Sequence, residues 1–157
     1  LPSLFTALNH HLVRDTGDDR FLTLFYGILD PTRRELSLAS AAHENLLWYH
    51  ASTGAIEEVP STGTMLGAME GLVYNEIGPL KLETGDVMLI SSDGLREAIG
   101  PRGDMFDIER THNVLIEAAA SLPTAKAIHD HILDSLNTFR EETPFRDDVA
   151  LIILKAK

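Results

Sequence analysis

The chain contains no cysteine, which excludes disulfide frameworks, thiolate nucleophiles and sulfur-ligated zinc and leaves oxygen and nitrogen to carry any chemistry. That absence fits a reducing cytoplasm. Basic residues are few: 13 lysines and arginines face 24 acidic residues, a formal net charge of −11, so a nucleic-acid backbone is excluded as a partner and hard cations are the expected guests. No uninterrupted apolar run is long enough to span a bilayer, and Leu1-Pro2-Ser3 lacks the charged and apolar parts of a signal peptide. Aromatics make up only 6% of the chain. What is present, 157 residues of which 44% are hydrophobic, suffices for one substantial core, and a single domain over residues 1–157 is expected.

Leu4, Phe5, Leu8 and Leu12 recur at helical spacing behind Ser3, predicting a short helix that ends near Asp15-Thr16-Gly17. Phe21–Leu29 is apolar on both alternating faces, the pattern of a strand buried on two sides, and Asp30-Pro31-Thr32 turns it. Strands follow at Leu36–Leu38 and Leu46–His50. From Val59 to Gly71 the chain reads as a long connection, and Leu72–Ile77 as a further strand. Val87–Ile90 is a short apolar strand between Thr84-Gly85-Asp86 and Ser91-Ser92-Asp93-Gly94. After Phe106 the period becomes helical: Leu115, Ala118 and Leu122 share one face, and beyond Pro123 so do Ile128, Ile132, Leu136 and Phe139. A final apolar strand, Val149–Leu154, follows Arg146-Asp147-Asp148. Strands, then helices, then a returning strand define an α+β layered architecture.

Two acidic groups stand at the ends of apolar strands, Asp93 after one and Asp147-Asp148 before another. If those strands are antiparallel neighbours, the carboxylates converge, and converging carboxylates repel unless a cation or proton sits between them. Read from pattern alone, such residues are more often a turn and a solvated strand entrance. His10-His11 and His129/His131 have the wrong spacing for a zinc pair on one helix face. Ser91 and Ser92 lack the Gly-Xaa-Ser-Xaa-Gly context of a nucleophile elbow.

Ser91-Ser92-Asp93-Gly94-Leu95-Arg96-Glu97-Ala98 is similar to the Thr-Asp-Gly-Val-Thr-Glu-Ala signature of the metal-dependent (PPM, type 2C) protein serine/threonine phosphatases, in the bacterial branch of sporulation stage II protein E and the sigma-B regulator phosphatases. Phe21–Gly27 resembles that family's Phe-Val-Thr-Leu-Phe-Tyr-Gly strand, Ala39–Asn45 its Ala-Asn-Ala-Gly-His-Asn turn, Gly103–Arg110 its Gly-Glu-Xaa-Phe-Gly-Xaa-Glu-Arg segment, and Arg146–Leu151 its terminal Asp-Asp-Ile-Thr-Leu. The resemblance implies a layered β-sandwich flanked by helices, incomplete at the N-terminus. It further implies that Asp93 and Asp147 bind metal, with Gly94, Asp148 and His43 as weaker candidates, and that two Mn²⁺ or Mg²⁺ ions serve the intact domain. The family's first metal motif, Gly-Asp-Val-Ser-Gly-His-Gly, has no match; Asp15-Thr16-Gly17-Asp18-Asp19 reads as a loop.

The activity implied is hydrolysis of phosphoserine or phosphothreonine on a signalling protein such as an anti-sigma-factor antagonist, with an upstream sensor or regulatory domain as a further partner. Without the bridging aspartate of the missing motif, a two-metal cluster is incomplete, and this chain is expected to lack competence by itself. The alternatives are a non-catalytic phosphatase-like binding module and a hydrolase of small phosphoesters.

Overall fold

A computed structural model describes residues 1–16 and 20–157; the expected loop at Gly17-Asp18-Asp19 lies outside the described residues. The chain forms two compact units, Leu1–His43 with Pro60–Leu82, and Glu44–Val59 with Glu83–Lys157.

In the first unit, helix α1 runs from Pro2 to Thr16, ending where the sequence predicts and starting before Ser3 rather than behind it. Proline opens it without loss because the first-turn N–H groups have no helical acceptor. Phe5 is fully buried in a cluster with Ala39, Ala41, Leu66 and Tyr74. One turn on, buried Asn9 accepts from the Gly67 N–H (2.8 Å) and the Tyr74 hydroxyl (3.2 Å) and donates to the Met69 carbonyl (2.9 Å). The long connection is thereby held against α1, its buried polar groups paired as burial requires.

Strands β1 (Leu24–Asp30), β2 (Glu35–Ala41) and β5 (Ile77–Lys81) form an antiparallel sheet in the order β1-β2-β5. Two expectations fail here. The Phe21–Leu29 strand begins three residues later and is exposed on both faces, with Ile28 54% and Leu29 43% accessible, because the helix of this unit packs on β2 rather than on the edge strand β1. Leu72–Ile77 is not a strand; β5 starts at Ile77 and contains Gly78-Pro79, a pair that reads as a breaker. Proline's missing donor is tolerated because β5 is also an edge strand.

The second unit contains an antiparallel sheet in the order β4-β3-β6-β7: β3 Leu46–His50, β4 Ala55–Val59, β6 Val87–Ser91 and β7 Leu151–Lys155. Helices α2 (Asp107–Ser121) and α3 (Ala125–Arg140) pack on it, and Leu115, Ala118, Ile128, Ile132 and Leu136 meet Leu47, Val87 and Leu89 in the core. Burying each large aliphatic side chain stabilises the unit by about 1.5–3 kcal/mol. The Thr124 hydroxyl accepts from the Ala127 N–H (3.1 Å) and starts α3 after the Pro123 break. Lys155 donates to the Ala119 (3.2 Å) and Leu122 (2.9 Å) carbonyls at the end of α2, tying β7 to it. β7 starts two residues later than the sequence predicts and leaves Ile152 57% exposed, since it too is an edge strand. Among the described residues no helix is long and apolar enough to cross a membrane.

Candidate metal centre

β6 and β7 pair antiparallel with Ser91 opposite Leu151, so the end of one strand lies beside the start of the other. Beyond the last pair the chains stay fastened through Ser92. Its N–H donates to the Ala150 carbonyl (2.9 Å), and its hydroxyl donates to the Asp148 carbonyl (3.0 Å) while accepting from the Ala150 N–H (3.0 Å). A hydroxyl engaged in both directions is a backbone tie, not a free nucleophile. Gly94 is buried next to it, and a Cβ there would collide with the Asp148 carbonyl oxygen and approach the Asp147 carbonyl oxygen at 3.4 Å. Glycine is required at this position by backbone crowding alone.

Asp93 therefore stands on a turn packed against the Asp147-Asp148 backbone. Glu97 N–H donates to the Asp93 carbonyl (3.0 Å), and fully buried Leu95 anchors the turn in the core. The Asp93 carboxylate is exposed and makes no hydrogen bond or ion pair among the described residues. Asp147 is also exposed; its Oδ1 accepts from the Asp148 N–H (2.7 Å), leaving Oδ2 uncommitted. Asp148 contributes chiefly its carbonyl, to Ser92. His43 belongs to the other unit, where its ring centroid lies 6.0 Å from that of Phe25.

Arg96, one turn beyond Asp93, forms a bidentate pair with Glu44: Nε to Oε2 at 2.6 Å and Nη2 to Oε1 at 2.9 Å. Its pKa is raised, first by the Glu44 hydrogen bond; burial opposes this, and the negative charges of Glu44, Glu97 and Asp93 add to the rise. The guanidinium is thus committed to bracing the turn.

Carboxylate oxygens suit a hard divalent cation, and two uncommitted groups on adjoining segments fit one in kind. Among the described residues no group of three or more His, Asp or Glu could hold a metal ion, so the pair would supply two ligands and water the rest of the shell. Ser92 and the Arg96–Glu44 pair are site-shaping residues that the sequence reading left without a role. Their partners lie 58 and 52 residues away, beyond the reach of any local pattern.

The model of the Stage II sporulation protein E (SpoIIE) family matches residues 1–157. The chain belongs to this family, and with it to the PPM-type protein phosphatases. It is 25% identical over 150 residues to the phosphoserine phosphatase RsbU of Bacillus subtilis, matching 96% of this chain and 43% of that protein. It is 28% identical over 145 residues to the protein IcfG of a Synechocystis strain, matching 92% of this chain and 22% of that protein. The chain thus spans less than half the length of these curated relatives. Its fold matches the SiaA PP2C domain of Pseudomonas aeruginosa with a TM-score of 0.71 at 19% identity, over 99% of this chain and 69% of that one.

Proposed function

We propose that the protein is a metal-dependent phosphatase that hydrolyses phosphoserine or phosphothreonine on a partner protein. The observation that carries this reading is the pair Asp93 and Asp147: two exposed carboxylates, set on segments that Ser92 and Gly94 lock together, one of them with no structural partner. Family membership and the likeness to a phosphoserine phosphatase support it. Asp93 and Asp147 would hold Mn²⁺ or Mg²⁺, and a bound ion supplies Lewis acidity toward a phosphoryl oxygen. Gly94 keeps the turn close to the Asp147 strand, and Leu95 with the Arg96–Glu44 pair fixes its orientation. Gly94 and Asp148 take part through their backbones.

The substrate proposed is a phosphorylated signalling protein of the anti-sigma-factor-antagonist kind, and an upstream sensor or regulatory segment is the proposed controller. Manganese-dependent release of phosphate from such a phosphoprotein, abolished in Asp93→Ala, is the expected result; an Asp93→Ala protein with undiminished turnover refutes the assignment. One observation favours a second reading, a non-catalytic phosphatase-like binding module: two acidic ligands are fewer than a metal cluster needs. Phosphoprotein binding with no manganese-dependent turnover decides for that module. Faster turnover of a small aryl phosphate than of the phosphoprotein decides for a small-phosphoester hydrolase.

A further inference from the structure

Beside Asp147 and Gly94 the second unit has a cavity of about 190 Å³. Its lining is polar in Arg146, Asp147 and Glu97 and apolar in Ala98, Ile99 and Met105. Ligand pockets for drug-sized molecules run to about 300–1,000 Å³, so this one is sized for a single side chain rather than a cofactor. The apolar part is built by the Ile99–Met105 bridge, which closes a short loop directly after the Asp93 turn. Met105 is 52% exposed there, an unbranched and adaptable group left open beside charged residues, where a purely structural methionine would be covered. Arg146 is exposed and makes no hydrogen bond or ion pair among the described residues, whereas nearby Arg96 and Arg110 are both engaged with carboxylates. Glu97 and Asp147 line the same cavity, so Arg146 is the one cationic group of its lining and the one with which an anion's oxygens can pair.

We infer that this cavity recognises the residue flanking the phosphorylated serine or threonine: an aliphatic side chain seats on Ala98, Ile99 and Met105, while Arg146 at the rim pairs with the phosphoryl group. The inference rests on the phosphatase reading and adds the substrate preference of that site. Arg146, the one cation of the lining, selects a phosphopeptide as the occupant, a ligand that carries an anion beside an apolar side chain, since a wholly apolar ligand leaves Arg146 unused.

The test uses the manganese-loaded protein and two phosphoserine peptides, identical except for leucine or glycine beside the phosphoserine, with turnover and fluorescence-anisotropy binding measured on the same samples. The leucine peptide is expected to have the lower KM. Arg146→Ala is expected to raise KM about tenfold for both peptides with little change in kcat, the size of one charge-assisted hydrogen bond, and Arg146→Lys to recover part of it. Met105→Gln, which removes the apolar surface without adding charge, is expected to raise KM for the leucine peptide only. Both positions are exposed, and unchanged thermal unfolding of the variants verifies their folds. Equal KM for the two peptides, or an Arg146→Ala protein with the parent's KM, overturns the inference while leaving the phosphatase reading intact. If the parent protein shows no turnover, the phosphatase reading fails for this chain by itself, and binding decides the inference: weaker binding of the leucine peptide by both variants supports it, and unchanged binding of that peptide by either overturns it.

Discussion

Replacing Gly94 by alanine puts a methyl group where the Asp148 carbonyl oxygen already sits, with the Asp147 carbonyl oxygen 3.4 Å away. Both obstacles are backbone, so no rotamer change relieves the clash. The turn must lift off the β7 approach, and in doing so it strains the Ser92 bonds to Asp148 and Ala150 at 3.0 Å each. Overpacking of this kind costs about 1–3 kcal/mol, and loosening one of the Ser92 bonds adds about 1 kcal/mol. A loss of about 2–4 kcal/mol lowers Tm by roughly 4–16 °C for a chain of this size. Differential scanning calorimetry of Gly94→Ala measures it, with Glu97→Ala on the same turn as the control, expected within about 0.5 kcal/mol of the parent. Calorimetric titration with Mn²⁺ is expected to show weaker binding by Gly94→Ala, because Asp93 moves with the turn. A Tm within about 1 °C of the parent refutes the crowding argument, and unchanged Mn²⁺ affinity despite a lowered Tm refutes the claim that this packing positions Asp93.

Ala42 holds a left-handed conformation at φ +49° on an exposed turn where the related family has glycine, so Ala42→Gly is expected to stabilise the protein by about 0.5–1 kcal/mol in denaturant unfolding. Asp86 is buried and accepts from Trp48 Nε1 (3.2 Å), the Ala51 N–H (2.9 Å) and the Glu83 N–H (3.0 Å); Asp86→Ala strands all three donors and is expected to cost about 3 kcal/mol or more by the same measurement. Burial raises the Tyr74 phenol above its ordinary 10.0, so the unfolded chain loses that proton first and stability falls as the pH climbs past that value. Tyr74→Phe is expected to flatten this alkaline decline in thermal scans taken from pH 9 to 11.

Legibility in the sequence followed how local each signal was. β6 could be read because a short apolar run lies between two turn signals, and α2 and α3 because a 3.6-residue period persists on either side of Pro123. β1 is legible as a strand but not in its burial: apolar residues on both faces normally mean a strand covered twice, whereas β1 lies at a sheet edge. β4 gave no signal, since Ala-Ile-Glu-Glu-Val carries only two large apolar residues. β5 was missed because Gly78-Pro79 punctuates it, and its edge position, which makes proline tolerable, is a tertiary fact. The approach of the Asp93 turn to Asp147-Asp148 was foreseeable from two strand ends, but not the Ser92 tie or the Arg96–Glu44 brace, which depend on strand register.

The signature around Asp93 serves two masters, and separating them sharpens what its presence means. Ser92, Gly94 and Leu95 are explained by folding: one ties, one gives room, one fills the core. A binding module that never met a metal would need all three. The Asp93 carboxylate has no such explanation, being exposed and without a hydrogen bond or ion pair among the described residues. Arg96, on which its charge acts, is already committed to Glu44. Asp93→Asn is therefore expected to leave thermal unfolding within about 0.5 kcal/mol of the parent, the range of surface substitutions, while sharply weakening Mn²⁺ binding. Calorimetry of unfolding and of Mn²⁺ binding on one preparation reads both effects. A large stability loss shows that the carboxylate belongs to the fold, and unchanged metal affinity removes it from the metal centre; only stability without binding keeps Asp93 as a ligand.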